Sequence, residues 1–282
     1  QTFGNRTIVA TNPTSGTYVE ATGKCFWWSG NSNLPSISIM GTLYDAPAQP
    51  SIANIGASVG TRQGFSIIKY AGSGSNGTVA HGLSQAPDFF LGRDLEDTSN
   101  NRDWIIYHKS IGATGRLKFT TAGTSTASAF FQDLEPTDKV INVGTSNDIN
   151  STNDYVLYCW HDVPGLQKFG SYTSNNSTDG PFIELGFRPA LIWIKVYENH
   201  TNDWAVYDTT RETTNPLSKT LYLNLSNQED PGGYYYIDIL SNGFKHRSSY
   251  AKVNGASNYK YIYCAWAEAP AVNLYGAQSN AR

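Results

Sequence analysis

The sequence predicts an all-β protein made of two homologous antiparallel β-sandwich-like units in tandem, with little helix and a partial β segment at the N-terminus. Three observations predict it. Charged residues make up only 15% of the 282 residues, while Gly, Trp, Tyr and Phe are frequent, a balance typical of β-rich proteins. The apolar runs are short, β-branched and aromatic, and Gly, Asn and Ser clusters separate them. The third observation is an internal repeat.

The repeat aligns the segment Gly64–Phe90 with the segment Leu166–Ile192, so that Tyr70 falls on Tyr172. Small changes in the spacing between later matches indicate loop insertions and deletions, which duplicated units tolerate. The further matched pairs are Gly82 with Gly186, Pro87 with Pro189, Asp103 with Asp203, Trp104 with Trp204, Tyr107 with Tyr207, Trp160 with Trp266, Asp162 with Glu268 and Pro164 with Pro270.

Four segments follow from this alignment. Residues 1–63 are an N-terminal segment and linker, residues 64–165 the first β-unit, residues 166–270 the second unit, and residues 271–282 a polar tail. A period of about 100 residues exceeds that of a solenoid, so each unit should be a small domain or half of one sandwich. Lys24–Gly30, KCFWWSG, is similar to the end of the first unit, so 1–63 is interpreted as the end of a preceding unit. Because Gln1 stands where an initiator Met would, we expect a piece of a longer protein.

Each unit contains six short strand-like runs. In the first unit they are FSIIKY, DFFLG, DWIIYH, LKFTT, KVINV and YVLYCW, and in the second PALIWIKV, DWAVYD, TLYLNL, YYYIDIL, GFKHR and YIYCAW. No run keeps a 3.6-residue apolar period over three turns, so little helix is predicted. Gly243, in SNGFKHR, suits a tight hairpin turn.

Composition argues against several functions. The net charge is −3, and no Lys/Arg cluster could neutralise a run of phosphates, so nucleic-acid binding is not expected. No apolar run approaches the ~20 residues of a membrane-spanning helix. Cys25, Cys159 and Cys264 are far apart without C-x-x-C spacing, which argues against a disulfide framework and a zinc site. Buried, reduced thiols are predicted instead.

The histidines are scattered singly, and no two have the spacing of metal ligands. In the alignment of the two units His108 faces Asp208 and His161 faces Ala267, so the histidines are interpreted as individual surface or turn residues. No metal and no cofactor are therefore expected. The five histidines are His81, His108, His161, His200 and His246.

No catalytic residues are assigned, and the chain is predicted not to be an enzyme. His161 and Asp162 are adjacent on a predicted strand, so their side chains point to opposite faces and cannot form a dyad. The carboxylates checked as a glycosidase pair lie in loop-like stretches and are interpreted as solvated turn residues. A calcium site in the first of these stretches would lack EF-hand spacing. The carboxylates are Asp94, Glu96 and Asp97, and Glu229 with Asp230.

The recurring aromatic residues Trp104, Tyr107, Trp204 and Tyr207 are predicted to lie in the core. Tyr234–Tyr236, by contrast, follow Pro-Gly-Gly at a loop edge, and alternation along a strand sends at least one of these rings to the other face. An exposed ring would suit sugar binding, whereas a second buried sheet face is the interpretation we favour. Ligand-binding residues therefore remain unassigned.

Several spaced motifs occur in a fixed order along the chain. They are GFSI, then HGL or GFRP before an apolar strand, DW-x-x-Y, the YCW and AWAE strand endings, and LSNGFK. This combination resembles a duplicated β-domain of unknown function found in tail-fibre-like and other virion structural proteins of marine and cyanobacterial tailed phages. The resemblance covers residues 64–270. The family has no agreed catalytic residues, so none are carried over. The polar ending after Pro270 departs from the family pattern.

The resemblance implies a non-enzymatic virion structural protein on the particle exterior, in a tail fibre, tail tip or capsid fibre, that contributes to host-surface recognition. The implied partners are other virion proteins, further copies of the chain, and a host surface glycan or outer-membrane protein. A trimer is expected by analogy with fibres. Two alternatives stay open: a glycan-depolymerising tailspike domain, and a purely architectural capsid decoration protein.

Overall fold

The computed structural model describes residues 50–98, 102–126 and 128–269, and, within residues 1–49, the backbone of four short strands. These strands are β1 (Thr7–Ile8), β2 (Ala21–Thr22), β3 (Ile37–Ile39) and β4 (Thr42–Tyr44). Strand β1 pairs with β2 and β3 pairs with β4, both antiparallel. Residues 1–49 form one compact unit and the chain from Pro50 onward forms another. Cys25 and the predicted tail at 271–282 lie outside the described residues.

From Pro50 onward the regular secondary structure is almost entirely antiparallel β, which confirms the predicted all-β class. The one helix among the described residues, α1 (Ser128–Phe131), has four residues. The strands are β5 (Asn54–Gly60), β6 (Phe65–Ala71), β7 (Gly77–Ala80), β8 (Phe89–Asp94), β9 (Ile105–His108), β10 (Gly115–Arg116), β11 (Ser125–Thr126), β12 (Val140–Val143), β13 (Asp154–Trp160), β14 (Gln167–Thr173), β15 (Phe182–Glu184), β16 (Pro189–Glu198), β17 (Ala205–Asp208), β18 (Leu221–Tyr222), β19 (Ile237–Leu240), β20 (Gly243–His246) and β21 (Lys260–Ala267).

Two five-stranded sheets dominate this unit. Sheet I has the order β5-β6-β13-β8-β9, and sheet II has the order β14-β21-β16-β17-β18. Strands that the repeat aligns occupy the same places, since β6-β13-β8-β9 corresponds to β14-β21-β16-β17. Outside these sheets, β7 pairs with β12, and their counterparts β15 and β20 pair with each other. Residues 54–60, which belong to the predicted N-terminal segment, form the edge strand β5 of sheet I.

Alternation along the central strands places side chains in separate cores. On β13, Tyr155 and Leu157 face a first core shared with β7, β12 and α1. The next side chains, Tyr158 and Trp160, face the opposite way and pack against a cluster that also contains residues of sheet II. Strand β21 divides in the same manner between that cluster and a core shared with β15, β19 and β20. Each half, residues 64–165 and 166–270, is therefore sandwich-like, and the two large sheets pack on each other.

Aromatic rings fill the interface between sheets I and II. Phe89 stacks on Phe169 with ring centroids 5.4 Å apart. Trp160 and Trp266, which the repeat aligns, meet edge to face at 6.3 Å. Because matched residues contact each other, the two halves present the same face to one another.

Hydrogen bonds to a first-half loop join the two halves further. The buried Lys195 ammonium of β16 donates to the carbonyl oxygens of Thr120 and Thr121, at 3.1 and 3.0 Å. The indole Nε1 of Trp204 donates to the carbonyl oxygen of Lys118 at 2.9 Å. Burial lowers the pKa of Lys195 to about 8. The loop of the first half is thus held by side chains of the second.

A set of buried side chains repeats in both halves. The Asn150 side chain accepts from the backbone N of Ser73 and donates to the carbonyl oxygen of Gly144. Asn254, about 100 residues later, accepts from Asn175 N and donates to Ser248 O.

The neighbouring tyrosines repeat as well. The Tyr155 hydroxyl accepts from Ser151 N and donates to Asn147 O, as Tyr261 does with Gly255 and Ala251. These bonds align residues 144–151 with residues 248–255, position by position.

Replacement of Gly243 by Ala should lower the free energy of unfolding by about 2 to 3 kcal/mol, because the new Cβ must displace backbone. Gly243 directly follows the two-residue β19–β20 turn that the sequence predicted. A Cβ at this position would lie well inside van der Waals contact with the carbonyl oxygen of Ile183 on the neighbouring strand. Urea unfolding measures the change.

The control is Gly56→Ala on β5, where a Cβ would meet Lys69 Cβ at an ordinary 3.6 Å. This variant should be neutral or stabilise by up to about 1 kcal/mol. Equal losses in the two variants would show that the Ile183 carbonyl is not the cause.

Candidate functional site

The aromatic residues predicted for the core lie there. Tyr107, Trp204 and Tyr207 are buried, and Trp104 packs against the interface cluster while partly exposed. Cys159 and Cys264 are buried free thiols, as predicted. Burial raises the pKa of Cys159 to about 12, so the thiol is protonated and unreactive at neutral pH.

The interpretation of the histidines as surface or turn residues is wrong for four of them. His81, His108, His161 and His246 are buried. The physical reason is that the fold buries these imidazoles against backbone atoms, polar side chains or aromatic rings from other segments, which a comparison of side chains between the units does not reveal. His108, for example, accepts from Ser110 N at Nδ1, and its Nε2 lies 3.3 Å from Tyr263 O.

His161 and Asp162 do not form a dyad, but the strand argument is not the reason, because β13 ends at Trp160 and both residues follow it. The Asp162 carboxylate pairs with Lys109 and accepts from Phe169 N, whereas His161 Nδ1 lies 2.7 Å from the backbone oxygen of Asp162. The fold does place Ser84 Oγ 3.5 Å from His161 Nε2, a pair too distant in sequence to be predicted. Among the residues that the structure describes, Gln85 and the backbone oxygen of Asp162 contact His161 Nδ1 and no carboxylate does, so a triad is incomplete.

The interpretation of the checked carboxylates as solvated turn residues is wrong for Asp94, which is the last residue of β8. Asp94 is buried; it accepts from Glu96 N and Asn153 Nδ2 and pairs with Arg102. Within the described ranges, no three His, Cys, Asp or Glu side chains converge as a metal site requires. Glu229 pairs with Arg211, and Asp230 accepts from Gly232 N.

Three tyrosines from two neighbouring surface loops form what we call the tyrosine cluster: Tyr234, Tyr235 and Tyr250. Tyr234 and Tyr250 are 52% and 50% exposed, and their rings meet at 5.1 Å with a 73° angle between planes. Tyr235 lies 6.2 Å from Tyr234 and 5.9 Å from Tyr250 and packs partly against the second-half core. The favoured interpretation of a buried sheet face is therefore wrong for Tyr234, because strand β19 begins only at Ile237 and Tyr234 lies in the loop before it.

The backbone holds the cluster in place. Gly232 and Gly233 both have positive φ, at 98° and 114°, a conformation that favours glycine. The Ser248 hydroxyl donates to Tyr234 O at 2.5 Å and accepts from Tyr250 N at 3.1 Å. One serine thus ties together the two loops that carry the exposed rings.

A lysine lies beneath the cluster. The Lys252 ammonium is 3.9 Å from the ring centroid of Tyr222 and 4.6 Å from that of Tyr235, and 3.5 Å from the Asp203 carboxylate. The residue is only 8% exposed, and burial lowers the pKa of its amine. Cation–π and ionic contacts together fix the ring of Tyr235.

The first half lacks these features at the equivalent positions. The repeated hydrogen bonds align Tyr250 with Ser146 and Lys252 with Asp148. Asp148 pairs with Lys118 at 3.3 Å instead. Since the first half forms the same loop with a serine and an aspartate, the fold does not require an exposed tyrosine or this lysine.

A groove of about 830 Å³ lies where the two halves meet. On its wall the Lys260 ammonium pairs with Glu198 at 2.8 Å, and the His200 ring stacks on Tyr259 at 4.9 Å. The sequence did not predict the groove, because its walls come from distant segments. Its lining includes Thr114, Thr124, Tyr197, Asn199, His200 and Lys260.

A family model described as a domain of unknown function, DUF7483, matches residues 46–270. No curated protein and no solved structure matches the chain. In the part of the chain that the structure describes, no helix has the length and apolar character to span a membrane.

Proposed function

This chain belongs to the DUF7483 family, and we propose that it is a non-enzymatic structural protein on the exterior of a phage particle that contributes to host-surface recognition. Its place would be a tail fibre, tail tip or capsid fibre, assembled with other virion proteins and as a homo-oligomer, for which a trimer is expected. We also propose that the two halves descend from one duplicated unit, because strand order and the buried Asn150 and Asn254 bonds recur.

The exposed tyrosine cluster is the observation that carries the recognition role. Large exposed aromatic side chains at a loop rim mark interaction sites more than they stabilise a fold. Here the rings of Tyr234 and Tyr250 are half exposed, although serine suffices at the position equivalent to Tyr250. Several copies on one particle would make a weak contact effective through avidity.

The depolymerase alternative has less support. A glycosidase needs two carboxyl groups facing each other across the scissile bond. Glu229, one of the carboxylates in question, pairs with Arg211 at 2.5 Å, and Asp94 is buried among hydrogen-bond partners. Neither is free to protonate a leaving group or to attack a sugar.

The test measures binding and turnover together. The full chain, fluorescently labelled, is incubated with candidate host cells and with their extracted surface polysaccharide. We expect retention on cells that a double Tyr234→Ala/Tyr250→Ala variant loses, and no release of reducing ends. Reducing-end release would overturn the non-enzymatic assignment. Absence of both signals would favour the architectural alternative and contradict the recognition role.

A further inference from the structure

We propose that the tyrosine cluster is a carbohydrate-binding site that stacks on the apolar face of a neutral sugar. The inference depends on the proposed function only for the biological source of the glycan, and it adds the chemical class of ligand and the residues that bind it. Tyr234 and Tyr250 would contact the sugar, and Tyr235 with Lys252 would position them.

The geometry of the rings suits a pyranose. Tyr234 and Tyr250 meet at 73°, so together they form a corner with one ring face as floor and the second ring as wall. A sugar ring has an apolar C–H face and a rim of hydroxyl groups, which match an aromatic face and polar groups near it. No described residue binds the phenol oxygens of Tyr234 and Tyr250, so both can bond to ligand hydroxyls.

The site is preorganised. The Ser248 hydroxyl joins the two loops, and the Tyr207 hydroxyl donates to Tyr235 O at 2.7 Å. Lys252 holds Tyr235 from below. Little conformational entropy is therefore lost when a ligand binds, which favours weak ligands such as sugars.

Charge selects against acidic sugars. Two carboxylates lie near Lys252: Asp203 pairs with it, and Asp230 accepts from the Tyr222 hydroxyl at 3.1 Å. The single ammonium balances one of them, so the local charge is negative. A uronic or sialic acid would meet repulsion here, whereas a neutral hexose or N-acetylhexosamine would not.

The position of the cluster is specific to the second half. Ser146 and Asp148 hold the equivalent places in the first half, where the aromatic residues of α1, Phe130 and Phe131, are buried in the core. One of two similar units thus exposes rings that the other buries or lacks. This asymmetry is expected of a site acquired for binding and not of a packing requirement.

The experiment uses the full chain on an array of neutral and acidic glycans, followed by calorimetric titration of cellohexaose, maltohexaose, chitohexaose and hexagalacturonate. We expect binding to at least one neutral glycan and weaker binding to acidic ones. The variant Tyr250→Ser, which installs the first-half residue, should weaken binding about tenfold or more, as for a central contact. Its melting temperature should match that of the parent protein.

The matched control is Phe182→Ser, which removes another exposed aromatic ring, 44% exposed and outside the cluster. It should bind glycan like the parent. Binding of acidic glycans alone, binding of none, or equal binding by Tyr250→Ser would each overturn the inference. Glycan binding without cell retention would refute the host-recognition role and leave the site standing. Cell retention without glycan binding would refute the carbohydrate-binding site and leave the host-recognition role standing.

Discussion

Replacement of Trp204 by Ala should lower the free energy of unfolding by about 4 kcal/mol, the upper range for deleting a large buried side chain. The indole is fully buried between the two halves, 5.4 Å from the Phe119 ring, and its Nε1 donates to Lys118 O. The substitution leaves both a cavity and an unpaired buried carbonyl oxygen. Urea unfolding followed by circular dichroism measures the loss.

The chain itself offers a control. Trp104 is the residue that the repeat aligns with Trp204, but it is partly exposed and lies against Arg93, 5.7 Å from its ring centroid. Trp104→Ala should therefore lower the free energy of unfolding by roughly half as much as Trp204→Ala, because it removes less buried apolar area. Trp204→Phe keeps much of the ring and removes the N–H, so it measures the hydrogen bond separately. Equal losses in the two alanine variants would contradict the interface role of Trp204.

The same experiment asks whether the two halves unfold together. The large sheets share one aromatic cluster, and Lys195 and Trp204 of the second half bind the loop at 118–121 of the first. We expect a single transition for the described unit in both variants. Two separated transitions in the parent protein would show that each half folds alone.

Much of this architecture could be predicted from the sequence. Short β-branched and aromatic runs predicted the strands because side chains alternate between two buried faces, as on β13. The recurrence of Trp204 and Tyr207 predicted their burial. The sequence pattern alone could not predict that the two halves pack face to face. Trp160 and Trp266 could equally have packed against other parts of their own halves.

The candidate site could be predicted only in part. Tyr234 was singled out because it follows Pro-Gly-Gly at a loop edge. Tyr250 and Lys252 belong to a different loop, and only the Ser248 hydrogen bonds and the cation–π contacts bring them to it. The buried histidines were missed for a similar reason, since backbone carbonyls supply partners such as Tyr263 O for His108.

Acid should destabilise this protein strongly between pH 6.5 and pH 3, through two histidines. Burial lowers the pKa of both His108 and His246 from 6.5 to about 3. His246 lies between the rings of Tyr172 and Phe244, and neither of its ring nitrogens has a hydrogen-bond partner among the described residues. His108 lies near Phe89 and the charged Lys109, which disfavours a second positive charge.

The sign follows from proton binding. A histidine whose pKa is lower in the folded state binds fewer protons there than in the unfolded chain, so stability is full above pH 6.5 and falls as pH decreases toward 3. At pH 4 each histidine should lower the free energy of unfolding by about 3 kcal/mol relative to pH 7. Urea unfolding at a series of pH values from 7 to 4 measures the slope.

His246→Leu isolates one of the two contributions. His246 follows the buried Phe244 by two residues on β20, and Val143 follows the buried Ile141 by two residues on the counterpart strand β12. Val143 is fully buried, so an apolar side chain fits this type of site. At pH 7 the variant should lie within about 1.5 kcal/mol of the parent, as for a volume-conserving change. At pH 4 the variant should be more stable than the parent by about 2 kcal/mol or more. The reason is that His246 of the parent binds a proton in the unfolded chain but not in the folded protein. An unchanged slope in the variant would mean that His246 does not remain neutral in the fold, and the acid sensitivity would then have to come from His108 and the interface between the two sheets.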